Sequence, residues 1–353
     1  MKKAFALLLT LLGLNANSSC SQELFRNADV EEFAKLTLCP DVQLVDVRTP
    51  EEYAEGHLAG AINIDVKDNG FMEQALATLD TAKTVAVYCR SGRRSTTAAS
   101  KLTKEGYKVV NLSGGIMAWT ANKMPTTTDT HERDVFLTKS GKSVQFFALM
   151  HASIRIVYDG KEIEIDPVSQ LGERKVDYSL FPKADYILVT HEHGDHFNQE
   201  TIATLSKDAT RLITNQRCAD IMGKGEVMNN GDSLTLDTDM TLQAVPAYNT
   251  TKEHLQFHPK GRDNGFVLTI DGLRIYIAGD TEDIPEMDNL SDIDIAFLPC
   301  NQPYTMTTGQ LVSAARRIRP QVLFPYHYGQ TDITPVNKEL QADSIEVRIR
   351  HYE

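Results

Sequence analysis

Short apolar runs punctuated by glycine, proline and charged residues recur along the chain, and their lengths and alternation predict its elements. Val42-Gln43-Leu44-Val45-Asp46-Val47 predicts a strand. A helix starts at Glu51-Glu52-Tyr53, where early acids suit the positive end of the helix dipole. Gly60-Ala61-Ile62-Asn63-Ile64 is extended again. Thr84 to Tyr88 reads as a buried strand, Ser95 to Glu105 as a helix closing at Gly106, and Val109 to Leu112 as another strand. This alternation predicts a small parallel-sheet α/β domain over residues 23–125.

Residues 126–133 carry no apolar periodicity and read as a linker. In residues 134–353 the pattern turns to hairpins with helices between them. Ser153 to Tyr158 alternates, Asp159-Gly160 turns, and Glu162 to Ile165 alternates back to Asp166-Pro167. The short branched run Tyr186 to Val189 predicts a buried strand, and Gln199 to Leu205 a helix. Further strands fall at Ser233 to Leu236, Met240 to Val245, Arg274 to Ile277 and Val322 onward, with a helix from Gly309 to Ile318.

The chain has 353 residues with 41% hydrophobic content, enough for two domains with their own cores. A formal net charge of −12 argues against general nucleic-acid binding and leaves small-molecule substrates. Met1-Lys2-Lys3 followed by apolar Ala4 to Leu14 predicts a signal peptide over residues 1–19, too short to span a bilayer lastingly. An exported protein is expected, periplasmic or on the outer surface, with Cys20 as a candidate lipid anchor although Asn17 departs from the usual lipobox. The other cysteines, Cys39, Cys89, Cys218 and Cys300, fit no C-x-x-C spacing.

One stretch dominates the second domain: Thr190-His191-Glu192-His193-Gly194-Asp195-His196, directly after a predicted strand. His191 and His193 are two apart, so on extended backbone both rings leave the same side. Gly194 is expected to let the chain turn and aim Asp195 and His196 at a neighbouring point. One loop then serves two adjacent metal positions. Histidine and aspartate this dense are costly to desolvate without a cation to bind.

The first domain has its own candidate centre in Cys89-Arg90-Ser91-Gly92-Arg93-Arg94-Ser95, between a strand end and a helix start. Backbone N–H groups and the helix dipole there favour an anion. With Arg90, Arg93 and Arg94 nearby, Cys89 is expected to have a depressed pKa and to act as a nucleophile. Arg90, Ser91, Gly92, Arg93 and Arg94 are the candidate substrate cradle. His57, and the pair Asp46 and Arg48, read as structural.

The pattern H-x-H-x-D-H resembles the signature of the metallo-β-lactamase superfamily. Asp280, after Ala278-Gly279, matches its bridging carboxylate, and His327, after Phe324-Pro325-Tyr326, matches its late histidine. The resemblance implies an αββα sandwich. It also implies one or two divalent metals, zinc foremost with manganese or iron as alternatives, on His191, His193, Asp195, His196, Asp280 and His327. A metal there lowers the pKa of a bound water towards ~7, with Asp195 both ligating and orienting the nucleophile. Where many members place a further histidine, this chain has Ala247-Tyr248-Asn249; Asn249 and His258, with His254, are the candidate replacements. Asp166 reads as a turn residue or a support to a ligand, and His151 is open. Landmarks such as His258-Pro259-Lys260-Gly261 and Ile284-Pro285-Glu286-Met287 resemble the ascorbate-6-phosphate lactonase-like branch.

Asp46-Val47-Arg48, Gly60-Ala61-Ile62-Asn63-Ile64, the Cys89 loop and Gly114-Gly115 with Trp119 resemble the rhodanese domain. That resemblance implies sulfur transfer through a Cys89 persulfide, from a sulfane sulfur donor to a thiol or cyanide acceptor. Related phosphatases carry a loop one residue longer before the arginine. The combined expectation is a bifunctional sulfurtransferase and metal-dependent hydrolase. Two alternatives stand beside it: a persulfide-oxidising iron enzyme, and a rhodanese domain serving only as a binding module.

Overall fold

The computed structural model describes residues 25–352. The expected signal peptide and Cys20 therefore lie outside the described residues.

The first domain is built on a five-stranded, wholly parallel sheet in the order Arg26–Ala28, Lys108–Leu112, Thr84–Tyr88, Val42–Asp46, Ile62–Asn63. Both faces are covered, so the middles of its central strands are apolar on both sides, as in Leu44-Val45 and Val85-Ala86-Val87. Val45, Val85 and Val87 pack on one face with Leu102. Leu44, Ala86 and Tyr88 pack on the other with Phe33 and Trp119. The helix Pro50–Ala54 starts with a capping box between Thr49 and Glu52. The helix after the Cys89 loop is Arg93–Lys104, starting earlier than the expected Ser95. Gly92, in left-handed backbone with φ 90°, completes the turn before it. The short elements Arg26–Ala28, Val30–Leu36, Phe71–Thr78 and Gly115–Ala121 carry no strong periodicity and emerge only in the structure.

Two seven-stranded sheets form the second domain. One has the order Glu226–Val227, Arg211–Thr214, Tyr186–Leu188, Lys161–Ile165, Ser153–Tyr158, Ser143–Met150, Arg133–Leu137. The other runs Ser233–Asp237, Met240–Ala247, Asp263–Ile270, Leu273–Ile277, Ile295–Pro299, Val322–Tyr326, Glu346–Val347. Ile154, Ile156, Ile163, Ile165 and Leu188 of one sheet meet Leu242, Phe266, Leu268, Ile275 and Phe324 of the other in a single core. Helices cover the outer faces, Gln199–Leu205 on one and Thr308–Ile318 on the other, which makes the αββα sandwich.

The pairing directions bring several strands to their carboxyl ends at one edge of this sandwich. Met150 leads there into His151, Ile165 into Asp166, Leu188 into the His191 loop, and Ala247 towards Asn249. Ile277 leads into Asp280, and Tyr326 into His327.

The linker is docked rather than free. His57 and Thr127 exchange backbone hydrogen bonds at 2.8 Å, and His57 Nε2 stands 2.9 Å from the Asp129 carbonyl. Arg133 reaches back to donate to the Thr37 carbonyl at 3.0 Å. Between the domains lies a cleft of about 570 Å³ whose lining includes Gln43, Asn63, Lys83, His131, Arg348 and Arg350. Neither Cys89 nor any candidate metal ligand lines it.

Candidate metal centre and cysteine loop

The residues at the shared strand edge separate into two sets, each within 4.8 Å of its own members: His191, His193, His258 and Asp280; and His151, Asp195, His196 and His327. Asp280 belongs geometrically to both. Its Oδ2 lies 3.3 Å from His258 Nε2, and its Oδ1 lies 3.2 Å from His196 Nε2 and 3.3 Å from His327 Nε2. A carboxylate placed this way offsets the repulsion between two cations.

In the first set His193 Nδ1 stands 3.1 Å from His191 Nε2 and 3.2 Å from His258 Nε2. Nitrogens bound tetrahedrally to zinc at ~2.0–2.1 Å stand roughly 3.3 Å apart, so the spacing fits a shared cation. In the second set the buried atoms His151 Nε2, His196 Nε2, His327 Nε2 and Asp280 Oδ1 have no hydrogen-bonding partner among the described residues. Buried polar atoms are rarely left so, and these converge on one point. The residues fit a divalent metal at each position.

Supporting contacts fix the rings. Asp166 accepts from Thr190 N and Thr190 Oγ1, both at 2.7 Å, and from His196 Nδ1 at 2.8 Å. Because the Thr190 hydroxyl donates to Asp166, its oxygen accepts from His191 Nδ1 at 3.0 Å, leaving His191 Nε2 its lone pair. Asp166 is thus more than a turn residue. It shares with His151 and His327 a left-handed backbone, with φ of 44°, 55° and 48° respectively. Such φ values are uncommon outside glycine, and here they turn side chains inward off strand ends.

Burial and the facing charges together set the protonation of these groups. Burial pushes His191 well below its usual pKa, with the neighbouring His196 adding to it, and takes His258 and His151 down to about 4. Neutral imidazole is the form that binds metal. Burial alone would raise Asp195 and Asp280, but the facing imidazoles outweigh it and hold both well below the carboxylate range. Burial likewise lowers His196 and His327, yet Asp280 and the other carboxylates outweigh it, lifting His327 to about 9.

Two expectations change. Asn249 joins neither set: its Oδ1 stands 2.8 Å from His258 Nδ1, so it orients the ligand instead of being one. Its amide nitrogen is held by the Tyr304 carbonyl at 2.8 Å, which keeps it out of the metal cluster. Gly194 takes no positive φ, and an added Cβ there meets nothing within 4 Å, so the turn does not depend on glycine. His151 completes the second set. Its sequence signal is its place directly after an apolar strand, as for His327. His254 faces Glu282 at 3.2 Å, away from both sets.

In the first domain Cys89 is buried at the end of its strand. Gly92 N donates to its sulfur at 3.2 Å and Ser95 Oγ at 3.4 Å. Burial would raise the thiol pKa, but the Ser95 hydroxyl and the loop N–H groups outweigh it and lower it. The arginines are therefore not the main cause. Arg94 in particular is committed to Glu52 through paired bonds at 2.6 Å, which corrects its expected role in the substrate cradle. Arg90, Ser91 and Arg93 are exposed at the loop's rim, and Gly92 is buried. Gly115 presses so close that a Cβ would come within 2.3 Å of the Cys89 carbonyl oxygen. Asp46 and Arg48 form a buried pair at 2.6 Å, and His57 bridges the Tyr53 and Asp129 carbonyls at 3.0 and 2.9 Å.

A sandwich of two facing sheets whose shared strand ends carry paired histidine–aspartate sets defines a metal-dependent hydrolase of the metallo-β-lactamase fold. The chain belongs to that superfamily: residues 145–327 match the model of the beta-lactamase superfamily domain, and residues 29–122 match that of the rhodanese-like domain. It is 34% identical over 187 residues to a UPF0173 metal-dependent hydrolase of Ligilactobacillus salivarius, covering 50% of this chain and 82% of that protein. The UPF0173 metal-dependent hydrolase of Nanoarchaeum equitans is 31% identical over 154 residues, 42% of this chain and 71% of that one. A crystal structure from Parabacteroides distasonis ATCC 8503, described as a candidate metal-dependent hydrolase, superposes with a TM-score of 0.61 at 51% identity. It covers 63% of this chain and all of that one.

Proposed function

We propose that the second domain is a dinuclear hydrolase acting on an activated carbonyl or phosphoryl centre, and that the first is a sulfurtransferase using a Cys89 persulfide. The observation that carries the hydrolase reading is Asp280, whose two oxygens face two different sets of histidines. Divalent ions at both positions, zinc foremost, supply Lewis acidity and lower the pKa of water there. His193 and Asp195 are the partly exposed members of the sets, so substrate approaches from their side. Asp195, with Oδ2 3.3 Å from His151 Nε2, is placed to hold a metal and to orient the nucleophile. A lactone is the first substrate to assay, given the likeness of the sequence landmarks to the lactonase-like branch.

In the first domain the Cys89 thiolate attacks the outer sulfur of thiosulfate or another sulfane donor, and the S–S bond breaks. Sulfite or the donor's thiolate departs, leaving a persulfide for a thiol or cyanide acceptor. Gly92 N and Ser95 Oγ, which donate to the sulfur, stabilise the anion. The basic and then apolar residues at the amino end support an exported protein.

Metal content by mass spectrometry on protein purified without chelator tests the main reading. About two equivalents in the wild type, lost in Asp280→Ala together with lactone, ester or phosphodiester hydrolysis, are expected. A single tightly held iron with oxygen-dependent persulfide turnover would replace this reading with the persulfide-oxidising one.

A further inference from the structure

His258 differs from the other ligands in where it comes from. The others stand at strand ends or in the short loop 191–196, whereas His258 lies on a loop nine residues beyond Asn249. A ligand carried on a loop has no rigid element to aim it, so the loop must be fixed by other contacts.

Glu282 supplies them. It follows Asp280 by two residues, is fully buried, and spends its whole carboxylate on this loop. Oε2 accepts from Thr250 N at 2.9 Å and Oγ1 at 2.7 Å, and from Thr251 N at 2.7 Å and Oγ1 at 2.9 Å. Oε1 faces Asn249 Nδ2 at 3.3 Å and His254 Nδ1 at 3.2 Å.

The consequence passes through one amide. Asn249 Nδ2 also donates to the Tyr304 carbonyl at 2.8 Å. A carbonyl and a carboxylate can only accept, so the amide nitrogen must face them and Oδ1 must face His258. His258 Nδ1, 2.8 Å from that oxygen, must then carry the hydrogen. Nε2 is left with its lone pair, directed at Asp280 and His193. The loop backbone closes over this pair through Asn249 N, which donates to the His258 carbonyl at 2.9 Å.

We infer that Glu282 is a positioning residue for the first metal position: through Thr250, Thr251 and Asn249 it fixes both the place and the tautomer of His258. The inference rests on the dinuclear reading above. It makes the first position depend on a contact that the second does not share.

The test is titration of apo wild type, Glu282→Gln and Asn249→Ala with Zn²⁺ and Co²⁺. Bound equivalents are read by mass spectrometry, Co²⁺ ligation by its visible d–d absorption, and the fold by circular dichroism of the apo protein. Glutamine would place an NH2 group against loop N–H donors, and alanine removes the acceptor for His258 together with the amide's bonds to the Tyr304 carbonyl and Glu282. Both variants are expected to retain one equivalent at the second position. Affinity for the other should fall about 10- to 100-fold, with loss of its share of the Co²⁺ absorption. Two equivalents at wild-type affinity and with the wild-type spectrum in both variants would overturn the inference and leave the hydrolase reading standing. A wild type that takes up one equivalent would overturn both. Should Glu282→Gln fail to fold, Asn249→Ala decides alone: weakened uptake at the first position supports the assignment, and full uptake sinks it.

Discussion

Asp166, just past a strand end, accepts a hydrogen bond from Nδ1 of His196 in the 191–196 loop at 2.8 Å. The same carboxylate holds the Thr190 backbone and hydroxyl, so it sets the start of the whole H-x-H-x-D-H loop. Asp166→Ala should lower metal affinity about 10- to 100-fold while the protein stays folded, as removal of such supports does elsewhere. Competition with a metallochromic chelator measures it, and an unchanged affinity would remove Asp166 from the centre.

His151 stands in the second set beside His327, their ring centroids 3.7 Å apart. His151→Ala is therefore expected to lower the bound metal from about two equivalents to about one, sparing the position held by His191, His193 and His258. Elemental analysis after desalting decides it; two equivalents retained would make His151 a neighbour and not a ligand.

Cys89 is a thiol whose pKa is lowered because donors to its sulfur outweigh its burial. A lowered acid stays ionised to lower pH, so alkylation by iodoacetamide should persist as pH falls below ~8.5, where a free cysteine is already losing its thiolate. Ser95→Ala, which deletes the side-chain donor, should move the half-point upward. A profile identical to that of free cysteine would deny the loop this role.

The buried pair Asp46 and Arg48 lies in the first domain, with Arg48 also donating to the Gly56 carbonyl at 2.7 Å. Asp46→Ala leaves an uncompensated buried guanidinium and should cost roughly 3–5 kcal/mol in that domain's stability. Urea unfolding followed by Trp119 fluorescence reports it, since Trp119 packs in the same domain's core.

Among the described residues, neither Cys89 nor a candidate metal ligand lines the interdomain cleft. Cys89 follows the carboxyl end of Thr84–Tyr88, while Val42, Gln43 and Lys83, which line the interdomain cleft, lie at the opposite end of the same sheet. Cys89→Ser should abolish thiosulfate sulfurtransfer and leave kcat and KM of the hydrolase unchanged. A matching drop in both activities would show coupling that this geometry does not provide.

Much of this was legible along the chain. Alternation in Ser153 to Tyr158 and Glu162 to Ile165, with Asp159-Gly160 between, marks a hairpin because strand side chains have a period of two. The density of His191, His193, Asp195 and His196 marks a metal loop because so many polar groups are costly to bury without an ion. Asp280 and His327, each after an apolar strand, were joined to it only through the resemblance to the superfamily's pattern. The sequence by itself therefore determined the α/β fold class and marked the candidate ligands of the 191–196 loop and the candidate nucleophile Cys89, since each rests on local periodicity or on chemistry within a few residues. Only the tertiary structure decided between Asn249 and His258, brought His151 into the second set, turned Asp166 into a support and tied Arg94 to Glu52. Those outcomes depend on which strand ends and loops meet across the sandwich or the sheet. Contacts between residues tens of positions apart leave no local pattern from which to read them.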